Sequence, residues 1–245
     1  RPGAGRTIVF ANSLGSNQSI WDDVVAALPD HYGILTYDLP GHGLSSGTAS
    51  SIEGLADDLS KLIDALGLTD VLFCGVSIGG MIGQVITSQR PDVICAGVLC
   101  NTAPQIGNEE RWQTRIKAVE ELGLKGIAPE ITNTWFGPEH SAQIDRLAMY
   151  ENMISRNTAA GYIAACEAIQ NADLRSFAIN IAIPILCIGG THDRSVPPES
   201  VNALAALPQN AKAGILDGIG HLPCLETPQE LAKIIHEFDP ATGSY

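Results

Sequence analysis

Ser77 stands in the run Gly75-Val76-Ser77-Ile78-Gly79-Gly80, with an apolar stretch at 71–76 before it and a helix-like stretch at 81–89 after it. A GxSxG sequence occurs by accident in many chains. Placed at a strand-to-helix junction, it reads as a nucleophile elbow. Such a turn is sharp, and glycine at 75 and 79 keeps neighbouring backbone from colliding. The Ser77 hydroxyl is then exposed at a helix N-terminus, where the Ile78 N–H can face an oxyanion.

A serine hydroxyl is a poor nucleophile without a base. The candidates are His31, His42, His140, His192, His221 and His236. His221 lies in Gly218-Ile219-Gly220-His221-Leu222, after the last strand-like run, and its glycines suit a loop that approaches the elbow closely. His236 falls inside the final helix and His31 precedes a strand, so both read as surface side chains. An acid must orient the base. Asn101-Thr102 follows the run at 94–100 and offers no carboxylate, whereas Gly189-Gly190-Thr191-His192-Asp193 follows the run at 183–188. Asp193 is therefore the candidate, ahead of Asp217 and Asp38, with His192 its structural neighbour. The order Ser77, Asp193, His221 is that of an elbow-type Ser-Asp-His set. A second oxyanion donor is expected from the loop Asn12-Ser13-Leu14-Gly15-Ser16, at the Leu14 N–H. Gly41-His42-Gly43 reads as a tight structural loop.

The elements that must position these groups follow from periodicity. Runs at 7–11, 34–37, 71–76, 94–100, 183–188 and 213–216 are apolar on nearly every residue, as strands buried on both faces should be. Between them, 51–66 places Leu55, Leu59, Leu62, Ile63 and Leu66 on one helical face, with Ser50 and Glu53 at capping-box spacing. At 228–238, Thr227, Pro228 and Glu230 form a second start signal. Alternating strand and helix predicts a mostly parallel sheet with helices on both faces. From about 105 to 180 the rhythm breaks into helical pieces at 109–122, 126–135, 141–157 and 159–172. An insertion there would overhang the carboxyl ends of the strands, where such sheets bind ligands.

The chain has 245 residues and a formal net charge of −13. Such acidity argues against nucleic acid and anionic membranes as partners. The longest nearly apolar run, 181–190, falls short of the roughly 20 residues that span a bilayer, and Pro184 interrupts it. The N-terminus is polar and Gly-rich, without the pattern of a signal peptide. The six cysteines contain no CxxC pair, and the Cys/His clustering of a zinc site is missing. They read as free thiols of a cytoplasmic protein.

The chain resembles the α/β-hydrolases, and within them the 3-oxoadipate enol-lactone hydrolases. Beyond the triad, the resemblance is carried by Asn12-Ser13-Leu14-Gly15, the elbow with Met81-Ile82-Gly83-Gln84, Asn101-Thr102-Ala103, Ile106-Gly107, Trp112 and Arg115-Ile116. It continues through Trp135-Phe136, Gly161-Tyr162, Cys166-Glu167-Ala168-Ile169 and Ala172-Asp173-Leu174-Arg175, and so spans nearly the whole chain. Many members of the superfamily have His-Gly where Asn12-Ser13 stands. Family members usually begin with two further strands before the segment matching 7–11. The resemblance implies an α/β-hydrolase fold with a helical cap inserted before the last two strands, residues 1–104 and 181–245 forming the core and 105–180 the cap.

It further implies opening of a small anionic enol-lactone to 3-oxoadipate, in aromatic-acid catabolism by the β-ketoadipate route, with no metal or cofactor. Ser77, Asp193 and His221 would be catalytic, Leu14 and Ile78 the oxyanion donors, and Trp135, Asn12 and Ser13 substrate contacts. Arg111, Arg115, Arg146 and Arg175 are candidate partners for the substrate carboxylate, although each also fits a solvated helix charge. Another carboxylesterase, or a carbon–carbon bond hydrolase acting on ring-cleavage products, would use the same triad. A ligand-binding protein without turnover is the alternative of another class. Dehalogenases and epoxide hydrolases carry aspartate where Ser77 stands.

Overall fold

The computed structural model describes residues 1–141 and 144–243. The chain enters through β1 (Thr7–Ala11), a 3-10 turn at Gln18–Trp21, α1 (Asp22–Ala27), β2 (Gly33–Thr36), α2 (Ile52–Ala65), β3 (Val71–Val76), α3 (Ile78–Gln89) and β4 (Ile94–Cys100). Five helices follow: α4 (Glu109–Trp135), α5 (Pro138–Ser141), α6 (Ile144–Ser155), α7 (Ala159–Gln170) and α8 (Arg175–Ile179). The chain closes with β5 (Ile185–Gly190), α9 (Pro198–Ala205), β6 (Ala211–Leu216), α10 (Pro223–Glu226) and α11 (Pro228–Phe238).

The strands form one sheet in the order β2-β1-β3-β4-β5-β6, and every pairing is parallel. Register sorts the side chains between two faces, because neighbours in a strand alternate. Val9 pairs with Phe73, and Gly75 with Leu99, on the face where Phe73 and Leu99 approach Gly83 of α3. On the same face, Gly189 of β5 approaches Val201 of α9. Phe10 pairs with Cys74 on the opposite face and stacks on Trp21, with ring centroids 4.8 Å apart. β1, β3 and β4 are buried almost throughout, which explains their continuous apolar runs.

The outer strands differ from the expectation of two-sided burial. β6 is an edge strand with Lys212 and Ala213 exposed, and it starts two residues earlier than its apolar run. β5 begins only at Ile185: Pro184 lacks an N–H and contributes only its carbonyl, which accepts from Gly97 N at 3.0 Å.

The α2 cap is Ser51 rather than Ser50, because the helix begins at Ile52; the Ser51 hydroxyl accepts from Gly54 N at 3.0 Å. At α11, Pro228 occupies the first turn as expected. Thr227 does not cap it, because its hydroxyl donates to Glu230 Oε2 instead, at 3.0 Å. The helical pieces at 109–122 and 126–135 are the two halves of α4, separated by Gly123 with φ 67° and ψ 168°. In the piece expected at 141–157, Ala142 and Gln143 lie outside the described residues. α8 packs against α3, beside the sheet layers, whereas α6 and α7 pack on α4.

The six cysteines are free; five are buried and Cys95 is partly so. Cys74 and Cys100 lie on the paired strands β3 and β4. Among the described residues, no helix is long and apolar enough to cross a membrane. Phe73 couples the elbow strand to α3 through the Gly83 contact. Phe73→Ala is therefore expected to lower the unfolding free energy by about 3–5 kcal/mol, read as a shift of the urea midpoint.

Candidate active site

Ser77 has φ 59° and ψ −120°, between the end of β3 and the start of α3. A non-glycine residue in such backbone costs about 1–3 kcal/mol and persists only when its surroundings enforce it. Here the Ser77 N–H donates to Cys100 O at 3.0 Å. Its carbonyl accepts from the Thr102 hydroxyl at 2.9 Å and from Met81 N at 3.0 Å. The glycines do what the sequence required of them. A Cβ on Gly75 would lie 2.6 Å from the Gly79 carbonyl carbon, and one on Gly79 would lie 2.8 Å from Asn12 O.

The loop after β1 docks on this elbow through Gly79 N, which donates to Asn12 O at 3.1 Å. Ser16 draws the turn shut, donating to Ser13 O through both its N–H (3.1 Å) and its hydroxyl (2.8 Å). Leu14 and Ser13 line the pocket that contains Ser77. The N–H groups of Leu14 and Ile78 find no acceptor among the described residues, as oxyanion donors require.

Asp193 is buried and receives four hydrogen bonds. Its Oδ1 accepts from Ser195 N (2.7 Å) and Val196 N (3.0 Å). Its Oδ2 lies 2.8 Å from His221 Nδ1 and accepts from Asn101 Nδ2, also at 2.8 Å. Burial works to raise the Asp193 pKa, but the His221 ring and the donors on the carboxylate outweigh it and hold the group below its ordinary value. An ionised Asp193 fixes the tautomer of His221 with its proton on Nδ1, leaving Nε2 as the basic atom. His221 and Ser77 line the same pocket. The arrangement has the geometry that an acyl-transfer site requires: a hydroxyl, an oriented imidazole and two N–H groups without acceptors.

The structure gathers Ser77, His221, Asp193, Ser13, Leu14 and Trp135 at this place, but not the Asn12 side chain. Asn12 was expected to contact substrate. Instead its Nδ2 donates to Tyr37 O at 2.7 Å and its Oδ1 accepts from Trp21 Nε1 at 2.9 Å, so the whole amide is used inside the core. Trp135 is both buried and pocket-lining. His42 lies outside the pocket, fully buried, with Nδ1 3.1 Å from Pro40 O.

Arg111 and Arg115 line the pocket, one helical turn apart on α4. Arg175 is instead exposed and paired with Asp173, and Arg146 lines a separate depression with Asp22 and Asp23. Asn101 was passed over in the sequence because it is not an acid. With φ 47°, it donates both to Asp193 and to Gly220 O (3.0 Å), tying the acid to the base loop.

A family model described as the alpha/beta hydrolase fold matches residues 6–228, and the chain belongs to that family. It is a hydrolase by that membership. Its relatives are more specific. It is 36% identical over 191 residues to 3-oxoadipate enol-lactonase 2 of Acinetobacter baylyi, covering 76% of this chain and 71% of that protein. It is 31% identical over 235 residues to 3-oxoadipate enol-lactonase 1 of the same organism, covering 94% and 87%. The crystal structure of the enol-lactonase from Burkholderia xenovorans superposes with a TM-score of 0.92 at 34% identity, covering 96% of this chain and 92% of that one.

Asn12→Ala leaves the Trp21 N–H and the Tyr37 carbonyl without their partner. A loss of about 2–3 kcal/mol of stability is expected, measured by urea unfolding.

Proposed function

We propose that this protein is a serine hydrolase that opens 3-oxoadipate enol-lactone to 3-oxoadipate, within aromatic-acid catabolism, with residues 105–180 acting as the cap. The observation that carries the reading is the pair of guanidinium groups facing the pocket that holds Ser77 and His221. Two cations at i,i+4 on one helix repel each other and cost stability unless an anion offsets them. Burial, then Arg115, lower the Arg111 pKa. Arg111 donates to Ser195 O at 3.1 Å and sits over the Trp112 ring at 5.6 Å, with no ion pair among the described residues. Arg115 is held by the Tyr162 hydroxyl at 3.4 Å and by the exposed Glu130 carboxylate at 3.3 Å, a weak partner. A substrate carboxylate would satisfy both arginines, and it explains how a chain of net charge −13 takes an anionic substrate. The enol-lactonase relatives support the same substrate class.

In this mechanism Ser77 Oγ attacks the lactone carbonyl while His221 Nε2 takes its proton. Asp193 stabilises the imidazolium without itself being protonated. The Leu14 and Ile78 N–H groups hold the tetrahedral oxyanion, each worth about 3–4 kcal/mol in the transition state. Collapse breaks the ring C–O bond, and His221 returns its proton to the departing enol oxygen. The enol is a better leaving group than an alkoxide, and its conversion to the ketone makes opening irreversible. His221 then activates water to release the acyl group from Ser77.

Loss of enol-lactone absorbance should require Ser77 and disappear in Ser77→Ala. Turnover of a p-nitrophenyl ester without lactone turnover would reject the substrate and leave an esterase. Asp193→Asn should lower kcat by about 10³–10⁴-fold. Arg111→Ala and Arg115→Ala should raise KM for the lactone about tenfold or more, as expected for loss of a charged hydrogen bond, and leave KM for a neutral ester nearly unchanged. Equal effects on both substrates would remove the carboxylate argument.

A further inference from the structure

Glu226 ends α10, five residues after His221, and its carboxylate is completely buried. It is not in the pocket and has no part in the mechanism above. Its two oxygens hold two segments of the chain together. Oε1 accepts from Gly220 N at 2.8 Å, one residue before the base. Oε2 accepts from Gly137 N at 2.7 Å, two residues beyond the pocket-lining Trp135.

The same two segments meet again through the backbone. His221 N and Leu222 N both donate to Trp135 O, at 2.8 and 3.3 Å. They cross closely. A Cβ on Gly220 would lie 2.6 Å from Gly137 N and 2.6 Å from the Phe136 carbonyl carbon. The segment carrying His221 is therefore stacked on the end of the α4 cap helix, with a buried carboxylate as its clasp.

We propose that Glu226 is a positioning residue: by bridging the Gly137 and Gly220 N–H groups it sets the register of the His221 imidazole against Ser77 from the cap side. This rests on His221 being the base. A buried carboxylate is costly, and the Gly137 and Gly220 N–H groups, with the His140 ring 3.5 Å from Oε2, are what compensate it here. Protonation removes the charge that strengthens both N–H bonds, so the clasp loosens.

The groups around Glu226 are His140 of α5, with Nδ1 3.5 Å from Oε2, the Glu139 and Arg146 charges beside His140, the Asp193–His221 pair, and Cys224 on its own helix. Burial pushes the Glu226 carboxyl up to about 7, against the pull of its two N–H donors. The clasp is thus fully charged above about pH 7 and weakens as pH falls through that value. That sits above the ordinary carboxylate range, so the transition falls where activity is measured.

The test is the rate at which diisopropyl fluorophosphate labels Ser77, which needs no assumption about the natural substrate. In wild type, the acid limb should fall more steeply than the roughly tenfold per pH unit that one titrating base gives. Glu226→Gln keeps the shape but cannot accept both N–H groups. It should label about 10- to 100-fold more slowly at pH 8, the scale of a displaced catalytic group, and its acid limb should return to a single ionisation. Wild-type rate and profile in a folded Glu226→Gln would overturn the proposal. If the variant does not fold, the wild-type profile decides: a limb of single slope overturns it. Absence of Ser77 labelling in wild type would overturn the serine-hydrolase reading itself, and the positioning role with it.

Discussion

The candidate active site depends on holding one residue, Ser77, in backbone that its side chain disfavours. Three hydrogen bonds maintain that conformation, and their partners lie on β4, in the loop after β4 and in α3. The loop after β1 closes the fourth side through Gly79. The central strands must therefore be in register before the Ser77 turn can form. This gives a reason for the near-complete burial of β1, β3 and β4. A sheet free to shift by a residue would release the turn, and every side chain along the moved strand would change face.

The base is secured differently. His221 sits on a loop beyond an exposed edge strand, and little of the sheet supports it directly. Its position comes from polar contacts reaching it from three directions. Asp193 arrives from the loop after β5, Asn101 from the end of β4, and the Trp135 carbonyl from the end of α4. Ser77 is fixed by the core, while His221 is fixed partly by the helices that cover the pocket. The end of α4, the helix that carries Arg111 and Arg115, thus reaches the His221 segment through direct backbone hydrogen bonds.

What the sequence made legible reflects how local each signal is. Ser77, Asp193 and His221 each fall a few residues beyond an apolar run, so strand periodicity located all three. Arg111 and Arg115 share a helical face by spacing alone. That their face turns toward the pocket depends on how α4 packs after its break at Gly123, which the residues around them do not encode. Asn101 escaped because the search at that strand end was for a carboxylate, and an amide does the work. Asn12 was misassigned because a polar residue beside the oxyanion loop looks like a substrate contact, while its true partners are Trp21 and Tyr37. Ser51 displaced Ser50 because two adjacent serines offer the same cap one residue apart.

The thiols on β3, β4 and β5 have a use unrelated to catalysis. Cys74, Cys100 and Cys187 are fully enclosed, and burial raises the thiol pKa of Cys74 and lifts that of Cys187 to about 12. In the closed sheet all three are unreachable, and the raised pKa keeps Cys74 and Cys187 protonated as well, so those two are doubly protected from alkylation. Reagent uptake at these positions would then record only the moments when the central strands separate. The same strands hold the elbow, so three native cysteines form an internal clock for the opening of the structure that keeps Ser77 in place.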